Sequence, residues 1–242
     1  MTVANTDEER HARRFGNVLH FAILRGAPGL DMQKEILGAL LAAMPDALEE
    51  VERDRQAVQG FWPLNPSSER EELIWAERYR DLRDWTNAEF TAQRDPGWIA
   101  NQVALMQSGK LAFYSEAQAE DTLDDAPRLT GAREDPPIAV HWLQLRSESI
   151  VPNLVAMPQH VRKLDRLLRD AGHTDIAVKY YGALTSAGSD RENASVWVEY
   201  RDLAAMTAAL AFLTTDPAAR GWRRELSELT DIQREWYLLE AK

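Results

Sequence analysis

LHFAILRG at residues 19–26 and VHWLQLRS at residues 140–147 decide the fold, because each opens a series of segments that occurs twice in the same order. AMPDALEEVER (43–53) returns as AMPQHVRKLDR (156–166), and YRDL (79–82) returns at 200–203. Asp95-Pro96 recurs as Asp216-Pro217, Gly97-Trp98 as Gly221-Trp222, and Phe113-Tyr114 as Trp236-Tyr237. Matched segments lie near 121 residues apart, as with residue 19 against residue 140, except where loops differ. Segments repeated in the same order at such an offset mark a duplicated domain.

Working outward, Asn17–Arg25 is a run of strand formers ended by Ala27-Pro28-Gly29. From about Asp31 to Gln56, apolar residues at helix spacing predict a helix, with Pro45 as a kink or restart. Gly60–Pro66 reads as strand end and loop, Glu72–Tyr79 as a strand, and Leu82–Ala92 as a helix stopped by Asp95-Pro96-Gly97. A further turn or two carries Trp98, and Leu111–Ser115 closes the unit as a strand. The second half repeats this: strand 138–146, helix Pro158–Ala171 with Gly172 as C-cap, strand 176–183, hairpin loop 186–193 and strand 196–200. Helix 203–213, a helical face on Trp222, Leu226 and Leu229, and strand 235–240 complete it. Each unit reads β-α-β-β-α-β, the ferredoxin-like order. The expected fold is therefore α+β. Residues 1–16 form a charged leader, 17–116 the first unit, 117–137 an acidic linker and 138–242 the second unit. The sheet faces without helices need cover, so the two sheets are expected to face each other as an intramolecular, pseudo-dimeric barrel of about eight strands. Closure then needs no second chain, and either a monomer or a homodimer is compatible with it.

Composition narrows the chemistry. The net charge is −11 and no basic stripe is visible, which argues against nucleic acid and anionic membranes as partners. With no cysteine, disulfides, thiolate nucleophiles and cysteine metal sites are excluded. No apolar run approaches the ~20 residues of a spanning helix, and the first residues lack a secretory signal, which fits the cytoplasm. Nucleotide loops, nucleophile elbows and HExxH patterns are absent, and neither a cofactor nor a metal is expected.

VWVEYRDLAAMTAAL, TDPAARGW and the closing WYLLEA resemble the dimeric α/β-barrel superfamily, and within it the NIPSNAP-like and antibiotic-biosynthesis-monooxygenase-like members. LIWAERYRDLRDW and RDPGW echo them in the first half. The resemblance implies a tandem version of a unit that usually pairs between chains. It also implies activities such as cofactor-independent oxygenation or cyclisation of phenolic polyketides. The alternatives it leaves are a non-catalytic ligand-binding or stress-response barrel and a haem protein of the chlorite-dismutase-like type. Oxygenase-like members often carry a histidine in the helix after the match to Glu199-Tyr200-Arg201-Asp202, where this chain has alanines at 208–209.

Strand alternation selects the candidate site. Val140, Trp142, Gln144 and Arg146 share one face, matched in the first unit by Leu19, Phe21, Ile23 and Arg25. The contrast of Gln144 with Ile23, and of Trp142 with Phe21, suggests that the second unit carries the polar site. His141, Arg146 and Tyr181 are the catalytic candidates: a base to remove a phenol proton, then a cation and a hydroxyl to stabilise the enolate. Trp142, Gln144, Lys179, His20 and Arg25 are the candidates for binding a small aromatic or polyketide ligand. His20 and His141 could equally be structural histidines under helices, and Arg25 and Arg146 solvated strand ends. His160, near a helix start, is the residue a haem would use.

Overall fold

The computed structural model describes residues 15–26, 55–65, 72–107, 111–121, 139–146, 150–185 and 194–240. Residues 1–14 of the leader, most of the helix expected over 31–56, most of the linker and the hairpin loop 186–193 lie outside the described residues, while Phe15 and Gly16, expected in the leader, begin the first strand.

The chain divides into two compact units, Met1–Ala119 with Ala241–Lys242, and Glu120–Glu240. The first contains β1 (Phe15–Gly26), β2 (Arg55–Pro63), β3 (Glu72–Tyr79), α1 (Leu82–Arg94), α2 (Pro96–Gln107) and β4 (Leu111–Asp121). The second contains β5 (Ala139–Arg146), α3 (Ile150–Asp170), β6 (Ile176–Thr185), β7 (Ala194–Tyr200), α4 (Leu203–Thr215), α5 (Pro217–Leu229) and β8 (Asp231–Glu240). The strand order is β4-β1-β3-β2 in the first unit and β8-β5-β7-β6 in the second, the same antiparallel plan twice. The chain is α+β, built of tandem ferredoxin-like units.

The repeat extends to hydrogen-bond register. Val18 pairs with Tyr79 and Ala139 with Tyr200; His20 pairs with Glu77 and His141 with Val198. Phe61 pairs with Ile74 as Tyr181 does with Ser195, and Gln59 with Ala76 as Lys179 does with Trp197. Side-chain comparison between the halves is therefore position by position.

Several boundaries differ from the sequence reading. Arg55 and Gln56, placed at the end of a helix by periodicity, begin β2. β4 continues to Asp121, beyond the residue where the acidic composition suggests a linker. α3 starts at Ile150 and contains Pro158, which the sequence reading makes its first residue. A proline removes only one hydrogen bond from the ladder. The buried stripe of Met157, Val161, Leu164 and Leu168 holds the helix to the sheet across it. Gly172 ends α3 with φ +90, and its neighbour His173 donates its N–H to the Leu168 carbonyl, a Schellman-type end.

Each Asp-Pro pair starts a helix as well as stopping one. Asp216 caps the C-terminus of α4 and accepts Ala218 N and Ala219 N at 2.8 and 3.1 Å as the N-cap of α5, with Pro217 in the first turn. Asp95 likewise accepts Trp98 N at 2.6 Å. The second crossover of each unit is therefore two helices rather than one.

The second unit's core lies between its sheet and its helices. Leu143 and Leu145 of β5, Val196, Val198 and Tyr200 of β7, and Met206, Trp222 and Leu226 of the helices form one cluster, each at most 2 % exposed. That assigns the odd-numbered face of β5 to the helices.

Candidate functional site

The even-numbered face of β5 turns away from the helices. Register sets two rows of side chains across it. Lys179, Trp197, Trp142 and Trp236 form one; Tyr181, Ser195, Gln144 and Arg234 form the next. Trp142 lies 5.5 Å from Trp197 and 6.4 Å from Trp236, centroid to centroid, the second pair stacked. The Arg234 guanidinium lies 4.8 Å over the Trp236 ring. All three indoles are at most 1 % exposed.

Each indole nitrogen donates to a polar side chain on this face. Trp142 Nε1 donates to Ser195 Oγ at 2.9 Å, and Trp197 Nε1 to Glu199 Oε1 at 3.1 Å. Lys179 Nζ donates to the same Glu199 oxygen at 3.1 Å. Trp236 Nε1 donates to Gln144 Oε1 at 3.0 Å. An indole only donates, so this bond fixes which end of the amide is oxygen. Gln144 Nε2 is buried and has no partner among the described residues.

The matched face of the first unit is apolar at several of these positions. Phe21, Ile23, Phe61, Ile74 and Ala76 stand where the second unit has Trp142, Gln144, Tyr181, Ser195 and Trp197, while Gln59 and Arg78 stand where it has Lys179 and Glu199. Arg25, expected to bind ligand, donates through Nε to the buried Glu72 carboxylate at 2.8 Å. Arg146 is half-buried at the end of β5, opposite Asp231 in the ladder.

The structure divides the expected catalytic set. Trp142, Gln144, Lys179 and Tyr181 share the helix-free face. His141 does not join them, because alternation turns its side chain under the helices, where Nε2 meets Glu235 Oε1 at 2.7 Å. Arg223 of α5 grips both oxygens of Glu235 at 2.7 and 2.6 Å. Burial opposes ionisation of Glu235, but the His141 and Arg223 bonds outweigh it and hold the carboxyl well below its usual range. Tyr237 beside it is pushed up to about 12 by burial and by that carboxylate. His20 is also on a helix side, with Nδ1 3.0 Å from Glu77 Oε2. Burial disfavours its imidazolium, yet Glu77 and Glu89 raise its pKa above the ordinary value. A base on the candidate face is therefore missing from the His141, Arg146 and Tyr181 set.

Sequence reasoning did not single out Ser195, Glu199, Arg234, Glu235 or Arg223. Alternation applied to β7 and β8 as well as β5 would have placed the first three on the helix-free face; nothing local marks Arg223, which arrives from a separate helix.

No family model and no curated protein matches the chain. Solved structures do share its fold. A protein proposed to be a chlorite dismutase has a TM-score of 0.56 at 11% identity, covering 94% of this chain and 96% of its own. A protein of Fusobacterium nucleatum proposed to be a monooxygenase gives 0.53 at 10%, covering 94% of both chains. A haem-binding protein of Thermus thermophilus gives 0.52 at 12%, covering 94% of this chain and 92% of that one. At these identities the likeness concerns the fold: this chain is built like chlorite-dismutase-like and monooxygenase-like structures.

Haem can be tested against the side chains. His160 Nε2 donates to the Trp222 carbonyl at 3.0 Å, its ring stacks on that indole at 5.1 Å, and Trp222 Nε1 donates to the His160 carbonyl at 2.9 Å. Burial lowers its pKa. This reciprocal pair occupies the nitrogen an iron would need, and the adjacent space between sheet and helices is the packed core. Among the described residues no three metal-binding side chains cluster. His160 and its surroundings do not fit an axial ligand.

Proposed function

We propose that the protein binds a small, flat, oxygen-bearing molecule, of the phenolic or quinoid kind, against the helix-free face of its second unit. One observation carries the reading: Gln144 Nε2 is a buried donor without a partner among the described residues, held by Trp236 on a face walled by indoles. Such a donor left unmade costs about 1–3 kcal/mol, which a ligand oxygen would recover. Aromatic walls with few convergent polar groups suit a planar ligand. A cofactor-independent oxygenase or cyclase, of the kind the antibiotic-biosynthesis-monooxygenase and NIPSNAP resemblance suggests, needs a phenolate or enolate oxygen held by donors. Gln144, Lys179 and Tyr181 supply these. His141 does not serve as the base; the nearest proton-handling groups on this face are Lys179 and Glu199, which hold each other.

The experiment is tryptophan-fluorescence titration with a panel of phenols and quinones, followed by mass spectrometry of the ligand after incubation in air. Saturable quenching that weakens about tenfold in Gln144→Leu supports the site, the loss of one hydrogen bond of about 1.4 kcal/mol. Absence of quenching across the panel, or equal affinity in Gln144→Leu, overturns it. An unchanged ligand mass assigns binding without turnover.

A second reading is haem binding, which rests on the fold shared with the Thermus thermophilus protein. Hemin titration decides it: a Soret band typical of ligated iron that disappears in His160→Ala would establish haem at that residue despite the Trp222 pair.

A further inference from the structure

The two units treat the same pair of side chains differently on the helix side of the sheet. In the first unit a single carboxylate oxygen, Glu77 Oε2, receives Tyr79 Oη at 3.0 Å and lies 3.0 Å from His20 Nδ1. Register places Tyr200 where Tyr79 is, His141 where His20 is, and Val198 where Glu77 is. The carboxylate is thus replaced by an isopropyl group, while the phenol and the imidazole that it would satisfy are kept. Both are left orphaned. Tyr200 Oη and His141 Nδ1 are buried polar atoms with no partner among the described residues, in side chains of residues 0 % and 2 % exposed. His141 cannot turn Nδ1 elsewhere cheaply, because Nε2 is bound to Glu235, which Arg223 fixes through both oxygens.

We infer that Tyr200 Oη and His141 Nδ1 form a binding site for a small monovalent carboxylate-like anion, which takes the position that the Glu77 carboxylate holds in the first unit. The chemistry fits on two counts. Tyr200 Oη donates, and a carboxyl group that also meets His141 Nδ1 shares one proton with it, so the ligand is a carboxyl compound that accepts from the phenol. Valine is shorter than glutamate by about a carboxyl group, and Val198 and Tyr200 belong to the same buried cluster as Trp222, Met206 and Leu226, so the ligand is of formate size. This site lies on the opposite face of the sheet from Gln144 and stands or falls independently of the function proposed above.

The test is thermal unfolding of the full chain in sodium formate against sodium chloride at equal ionic strength. A ligand that binds only the folded state raises Tm. Formate should raise the wild-type Tm by several degrees more than chloride. Val198→Glu, which supplies the carboxylate from within, should abolish that difference, and Tyr200→Phe should reduce the apparent formate affinity about tenfold. Equal responses to formate and chloride in the wild type, or a formate response in Val198→Glu as large as in the wild type, overturn the inference. Should Val198→Glu fail to fold, the nitrogen NMR signals of His141 in the wild type decide: a formate-dependent shift of Nδ1 supports the site, and unmoved signals overturn it.

Discussion

Trp236 Nε1 donates to Gln144 Oε1 across the β5–β8 ladder, and this single bond dictates that both amide hydrogens of Gln144 face away from the indole. Losing one partner of this bond and losing both have different consequences for stability.

Replacing Trp236 with phenylalanine removes the donor and leaves Gln144 with neither end satisfied. The expected cost is about 1–3 kcal/mol. Gln144→Leu alone orphans the buried Trp236 N–H in turn, whereas Gln144→Leu combined with Trp236→Phe removes both polar partners, and that ligand-free double variant should lose less than Trp236→Phe alone. Urea unfolding of the single and double variants in the absence of ligand checks the ordering; a larger loss in the double variant than in Trp236→Phe would contradict it.

Glu235 makes stability fall in acid. Its carboxyl titrates well below the unfolded value of about 4.5, so its contribution is complete above that pH and is lost as pH drops toward the folded value. Glu235→Gln should cost about 2 kcal/mol at pH 7 through its charged hydrogen bonds, and the difference from wild type should shrink at pH 3–4. Urea midpoints measured across that range test this.

His20 acts in the opposite direction. Its folded pKa is raised above 6.5, so the stability from its pairing with Glu77 is complete below that value and fades as pH rises through the folded pKa. His20→Gln should flatten the alkaline side of the stability profile between pH 6 and 9 and leave the acid side unchanged. A profile that keeps its alkaline slope in the variant would count against the pairing.

Asp216 serves two helices at once. Asp216→Ala should destabilise the protein by about 1 kcal/mol through the lost cap of α5. Asp216→Asn keeps an acceptor and should recover most of this. Thermal melts of both variants measure it.

The duplication made most of the fold legible. Matched segments in matched order gave the unit and its β-α-β-β-α-β element order, and side-chain alternation, which follows from strand geometry alone, gave the sheet faces. Pro158 misled because a proline reads as a helix start from composition, whereas the packing stripe around it decides the helix. The candidate site was half legible. Comparing Ile23 with Gln144 pointed to the face proposed above as the binding face, since a repeat supplies its own reference. His141 was grouped with Tyr181 although the same alternation puts their side chains on opposite faces; the attraction of an imidazole outran the geometry. Arg223 and Glu235 meet only in three dimensions, and no local pattern announces them.

The matched registers mean that the chain carries two versions of one scaffold with separately edited side chains. A glutamate in one copy and a valine in the other, or an isoleucine and a glutamine, are substitutions already tolerated at corresponding positions of a common ladder. Residue sets can therefore be exchanged between the halves as compatible parts: moving Trp142, Gln144, Ser195 and Tyr181 onto residues 21, 23, 74 and 61 should install a second polar face without shifting a strand. For a protein engineer, the first unit is a blank form on which the chemistry of the second can be written again.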